Sequence, residues 1–222
     1  MQIKVFQFNP VGVNTYILWD KTEKNGAVID SGCSSEAEFK TLFSFIECEG
    51  IKVEHLLITH PHFDHIYGAN GSMQRFGLPL QLHEKAVPLM DEAVRTAQVF
   101  GFQFGDTPAA DKLKTFKEGD TVKIGNFTLE ILYTPGHCEG SVSFVERSTR
   151  TVFTGDVLFR DSIGRTDFPT GDYELLKSGI YNKLFTLDEP DCSMSGLPSY
   201  TVRPGHGGRT TIEYERYHNP FL

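Results

Sequence analysis

Three of the chain's eight histidines crowd into Thr59-His60-Pro61-His62-Phe63-Asp64-His65, directly after the apolar run Leu56-Leu57-Ile58. A buried strand that ends in such a loop holds imidazoles rigidly at a sheet edge. On an extended backbone, His60 and His62 point the same way toward one ion. Asp64 and His65 begin the next turn and face a second position. These donors are nitrogen and oxygen without sulfur, a set that suits zinc and also admits iron or manganese.

Three more side chains stand in matching contexts further along. His137 ends Leu129-Glu-Ile-Leu-Tyr-Thr-Pro-Gly-His, Asp156 follows Thr151-Val-Phe-Thr-Gly, and His206 follows Tyr200-Thr-Val-Arg-Pro-Gly. Each is an apolar strand, a glycine, then a ligand-type residue, and the glycine is expected to permit a sharp exit from the strand. Asp30, in Val-Ile-Asp-Ser-Gly at another strand end, is expected to accept a hydrogen bond from a ligating histidine. His55, His83 and His218 fall outside the pattern and read as structural.

The elements that must position these residues can be read from hydrophobic spacing. Strands are predicted at Ile3 to Phe8, Thr15 to Trp19, Gly26 to Ile29 and His55 to Ile58. A helix begins at Ser34-Ser35-Glu36, carries Phe39, Leu42, Phe43 and Ile46 at helical spacing, and stops at Gly50. The second half repeats the scheme, with strands at Thr121 to Ile124, Phe127 to Tyr133, Ser141 to Val145, Thr151 to Phe153 and Tyr200 to Val202. Its helices are predicted over Tyr173 to Leu184 and Ile212 to Tyr217. Glu84 to Val99 reads as helical, and the aromatic, glycine-rich stretch from Phe100 to Pro108 reads as a loop over a cleft. Two β-then-α halves suggest an α+β fold, an αββα sandwich of two mixed sheets flanked by helices, with residues 1–222 forming one domain, although the pattern alone also fits a plain α/β sheet.

Composition narrows the function classes. The 222 residues are 39% apolar and 23% charged, enough to bury a core. With 21 Lys and Arg against 29 Asp and Glu the formal charge is -8, which argues against nucleic acid or an anionic membrane as partner. There is no run of 18 apolar residues and no signal-like N-terminus, so the expected location is cytoplasmic. Cys33, Cys48, Cys138 and Cys192 show no C-x-x-C pair and are expected as reduced thiols.

With its ligands in this order the chain resembles the metallo-β-lactamase superfamily, whose pattern is H-x-H-x-D-H followed by His, Asp and His. The resemblance implies a binuclear site of two zinc ions, with iron or manganese as options. His60, His62 and His137 would hold the first ion, Asp64, His65 and His206 the second, and Asp156 would bridge. Leu158 to Asp172, Arg203-Pro-Gly-His-Gly-Gly-Arg-Thr-Thr and Glu215 to Leu222 are similar to short, single-domain glyoxalase II-like hydrolases. That similarity implies hydrolysis of small S-acyl thioesters such as hydroxyacylglutathione by a metal-bound hydroxide, with Asp64 or Asp156 relaying its proton. Arg160 and Arg165 are candidates for an anionic substrate tail, and Tyr67 for a substrate carbonyl. Only 16 residues follow His206, so the C-terminal glutathione-binding segment of longer glyoxalase II enzymes is not expected. Cys138 replaces a residue that is commonly a small hydroxyl in the family, and it reads as a buried filler. Gly164-Arg165-Thr-Asp-Phe168 also resembles the sulfur dioxygenases of the same fold, which makes a mono-iron persulfide dioxygenase the alternative.

Overall fold

The computed structural model describes residues 1–188 and 196–222. Cys33, Cys48 and Cys138 are free thiols, while Cys192 lies outside the described residues. In chain order the first half contains β1 (Gln2–Phe8), β2 (Val13–Trp19), β3 (Asn25–Ile29), α1 (Glu36–Cys48), β4 (Lys52–Leu57), α2 (Phe63–Ile66), α3 (Ala69–Phe76), β5 (Leu80–His83), α4 (Met90–Val99) and β6 (Leu113–Phe116). Its strands form one six-stranded sheet in the order β1-β2-β3-β4-β5-β6. The first three run antiparallel and β3 to β6 parallel.

The second half contains β7 (Thr121–Ile124), β8 (Phe127–Tyr133), β9 (Val142–Glu146), β10 (Thr151–Gly155), the short ribbon β11 (Leu158–Phe159) and β12 (Ser162–Ile163), α5 (Tyr173–Gly179), β13 (Thr201–Pro204), β14 (Thr210–Thr211) and α6 (Ile212–His218). The second six-stranded sheet is ordered β14-β13-β10-β9-β8-β7.

Period-two alternation sorts each strand's side chains between two cores. In the first sheet Ile17 and Val28 face α1, α3 and α4, whereas Leu18, Ile29 and Leu57 face the other sheet. In the second sheet Val145 and Val152 face α5 and α6, whereas Phe144 and Phe153 turn inward to meet the first sheet. The result is the expected αββα sandwich. α1 starts where Ser35 accepts a hydrogen bond from the Glu38 amide and buries Leu42 and Ile46.

Two predicted helices are divided. From Glu84 the chain makes a 3₁₀ turn to Leu89 before α4 begins at Met90, because Pro88 has no amide hydrogen for a continuous α-helix. After Gly179, a wider π turn carries Ile180 to Leu184 and keeps both of those side chains in the outer core. The helix α3 and the strands β5 and β6 were not anticipated.

Candidate metal centre

The two sheets deliver their chemistry at strand exits. Asp30 leaves β3, Thr59 and His60 leave β4, His137 follows β8, Asp156 follows β10 and His206 follows β13. Asp64 and His65 ride on α2. The glycines before the ligands serve two purposes. Gly136 and Gly155 have φ of 124° and 51°, so they make the expected sharp exits. Gly205 has ordinary φ, and its role is space: a Cβ there would stand 2.1 Å from Asp156 Oδ1 and 2.7 Å from His65 Cε1.

Ring nitrogens converge in the middle. His62 Nδ1 lies 3.1 Å from His60 Nε2 and 2.8 Å from His137 Nε2. The outer partners decide which nitrogen of each ring carries its proton. Thr59 Oγ1 donates to Asp30 Oδ2 at 2.7 Å, so it accepts from His60 Nδ1 at 3.1 Å. The Arg165 carbonyl only accepts, so His137 Nδ1 donates to it at 2.7 Å. Asp30 Oδ2 accepts from His65 Nδ1 at 2.9 Å. In all three rings Nε2 is thus turned inward with its proton-bearing partner behind it.

Asp156 sits between two clusters. Its Oδ1 is 3.3 Å from His65 Nε2, and its Oδ2 is 3.8 Å from His137 Nε2 and 3.6 Å from His206 Nε2. Asp64 Oδ2 is 3.0 Å from His206 Nε2 and 3.6 Å from His65 Nε2. Three groups have donor atoms all within 4.8 Å of one another: His60, His62 and His137; His60, His65 and Asp156; Asp64, His65 and His206. The rings of His60 and His206 lie 4.0 and 5.3 Å from that of His65, so the seven sequence-predicted metal ligands come together in one place.

The electrostatics agree with a cation there. Burial, reinforced by neighbouring histidines, holds His60 well below the ordinary imidazole value and His62 down at about 3. Burial opposes charge on His65 too, but Asp64, Asp156 and Asp30 outweigh it and hold its pKa well above the usual value. Burial would raise the Asp156 carboxyl, but the nearby histidines, His65 foremost, bring it down. Among the described residues His65 Nε2 and Asp156 Oδ1 are buried without a hydrogen-bond partner. Such orphaned donors, with neutral imidazoles beside them, are what a divalent ion satisfies.

A cleft of about 590 Å³ opens on this centre, walled by Phe63, Phe100, Phe102, Phe159, Ile163 and Phe168. The Phe100 to Pro108 segment supplies part of its wall, as expected. Tyr67 donates to the Gln103 carbonyl and packs on Phe104 at 5.3 Å, so it ties that segment down. Arg165 lines the cleft but pairs with Asp167 through Nε and Nη2 at 2.9 and 2.7 Å. Arg160 lies 3.6 Å from Asp161 and over Tyr214. Cys138 is buried against Ser141, and burial pushes its thiol up to about 12. His55 bridges Lys123 and Gln81, His83 stacks on Tyr133, and His218 stacks on Tyr214, all structural roles.

Sequence reasoning missed two asparagines. Asn14 donates to the Pro204 and Gly207 carbonyls at 2.9 and 3.0 Å, pinning the turn that bears His206. Asn9 donates to the Gly32 and Asp64 carbonyls at 3.0 and 2.9 Å. Their partners are remote in sequence, and no local signal marks them.

The model of the metallo-beta-lactamase superfamily matches residues 8–194. The chain belongs to that superfamily. The superfamily fold binds divalent metals, and the three His and Asp groups are where such ions fit here. The chain is similar to hydroxyacylglutathione hydrolase GloC of Haemophilus influenzae, 38% identical over 223 residues that cover 100% of this chain and 98% of the relative. Two solved structures align along nearly the whole chain. BLEG-1 B3 metallo-beta-lactamase has a TM-score of 0.83 and 35% identity, covering 100% of this chain and 99% of that one. TTHA1623, in a di-iron-bound form, has a TM-score of 0.82 and 30% identity, covering 99% and 100%. Among the described residues no helix is long and apolar enough to cross a membrane.

Proposed function

We propose that the chain is a binuclear metal hydrolase acting on small S-acyl thioesters of the hydroxyacylglutathione type. The observation that carries this reading is Asp156, whose carboxylate lies within 3.8 Å of His137 from one ligand group and within 3.6 Å of His65 and His206 from the other. His60, His62 and His137 would hold one ion, Asp64, His65 and His206 the other, and Asp156 would span both. Two zinc ions suit these donors, and iron or manganese would fit the same set. Both sheets contribute donors, which supports residues 1–222 working as one domain.

Divalent ions bound here supply a Lewis acid for the acyl carbonyl and acidify the attacking water. The chain's own groups do the rest. Asp30, Thr59 and the Arg165 carbonyl fix the imidazole orientations. Asp64 and Asp156 line the cleft, and one or the other would take a proton from the attacking water. No side-chain nucleophile is needed, and the buried neutral thiol of Cys138 is unsuited to be one. A thiolate leaving group is a weak base and needs little proton donation. The similarity to GloC supports the thioester class.

The test joins metal analysis of zinc-loaded protein to thiol release from S-lactoylglutathione, followed with a colorimetric thiol reagent. Two metals per chain and steady thiol release are expected. One iron per chain, with oxygen consumed on glutathione persulfide, would replace the hydrolase with the sulfur dioxygenase.

A further inference from the structure

We infer, resting on the hydrolase reading, that the cleft selects thioesters by an apolar acyl group, aromatic or branched, and not by charges on the carrier thiol. Phe63 anchors one wall, with the rings of Phe102 and Phe100 at 5.3 and 6.4 Å. The opposite wall is built against the ligand imidazoles themselves. Phe168 lies 5.0 Å from His62 and 6.0 Å from His137, and Phe159 lies 6.3 Å from His206. Phenylalanines therefore flank the site on two sides. A substituent beside the reacting carbonyl would have a ring on either side of the site to pack against.

Apolar surface is left in water at this cleft. Phe100 is 49% and Val11 42% exposed, and both line it. An apolar group bound there would cover them. The wall is also fixed in advance. Tyr67 holds the Gln103 carbonyl, Asn70 donates to the Asp106 carbonyl at 2.6 Å, and the Phe102 amide donates to Ala97 at 2.8 Å. A preformed wall keeps the ordering cost of binding low.

Charge recognition has little to work with. Apart from His62, His137 and His206, the charged residues lining the cleft are Asp64, Asp156 and Arg165. The Arg165 guanidinium is already forked onto Asp167 and lies 4.7 Å from the centre of the Phe168 ring. The carboxylates of a peptide thiol would meet no uncommitted cation among these residues.

The test uses zinc-loaded protein and thioesters of one neutral thiol, N-acetylcysteamine, carrying acetyl, isovaleryl or phenylacetyl groups. The phenylacetyl ester should exceed the acetyl ester in kcat/KM by about 10- to 100-fold, the range expected for burying a ring. Phe102→Ala and Phe168→Ala should each pull that ratio toward one. Calorimetry with uncleavable thioether analogues gives a readout independent of turnover: a phenethyl thioether should bind about tenfold tighter than its methyl counterpart. If the acetyl ester is cleaved as well as the phenylacetyl ester, the inference falls and the hydrolase reading stands. If S-lactoylglutathione outruns every apolar ester, the inference falls in the same way. If no ester is cleaved while the phenethyl thioether still binds tighter, the hydrolase reading falls and the apolar cleft is upheld.

Discussion

Asp30 Oδ2 stands 2.9 Å from His65 Nδ1, with both side chains closed off from solvent. The same carboxylate accepts from the Thr59 amide and hydroxyl, each at 2.7 Å, and Thr59 in turn meets His60. One carboxylate therefore orients two imidazoles of the proposed binuclear site. Asp30 adopts φ of 53°, a conformation that Asp and Asn tolerate better than most residues.

Asp30→Asn should keep this backbone and lose the charge. Metal affinity, measured by competition with a chelator, should weaken by about 10- to 100-fold, while unfolding of the metal-free protein stays cooperative. Unchanged affinity would show that the contact does not support a ligand.

On the proposed binuclear reading Asp156 would span both ions, its carboxylate lying within 3.8 Å of His137 on one side and of His65 and His206 on the other. Asp156→Ala should then cost more activity than alanine at any single histidine of the site, by roughly tenfold. Metal stoichiometry should fall below two per chain. A histidine variant with the larger loss would contradict the bridging role.

Gly205→Ala tests the space at the centre. The added Cβ would press on Asp156 Oδ1 and His65 Cε1, both closer than van der Waals contact allows. Backbone strain is not the cause, since φ is ordinary here. Metal content should drop with most of the secondary structure retained, as read by elemental analysis and circular dichroism.

Metal uptake should release a proton. In the metal-free protein the Asp64, Asp156 and Asp30 charges raise His65 well above the ordinary imidazole value, against the effect of burial. A raised folded-state value gives stability that is complete below the unfolded value, about 6.5, and that fades as pH rises through the folded value. Chelator-treated protein should thus melt at lower temperature as pH is raised above neutral, while metal binding tightens over the same range. Calorimetric titration in buffers of different ionisation enthalpy counts the proton.

Glu146 offers a test of stability far from catalysis. Burial would raise its carboxyl, but hydrogen bonds from the Ser148 and Thr149 hydroxyls and amides hold it below the ordinary value. Its contribution is present above the unfolded value and is lost as pH falls through the lower folded value. Glu146→Gln should cost about 1–3 kcal/mol at pH 7 in urea unfolding, with the difference from the unchanged chain shrinking in acid.

The ligand types were legible in the sequence because they are local signals, whereas the order of elements alone fits an αββα sandwich and a plain α/β sheet alike. His60, His62, Asp64 and His65 are neighbours in the chain, and His137, Asp156 and His206 each follow an apolar strand. What joins these pieces was not local. The Asn14 contacts with Pro204 and Gly207 span about 190 residues, and the Phe168 contact with His62 arises only when β8 and β10 bring their exits beside β4. Tyr67, a candidate substrate contact by sequence, is spent on the Gln103 carbonyl, and Arg165 on Asp167. A residue's type declares what it can bind, whereas the partner that occupies it is decided by which strand ends the two sheets hold together.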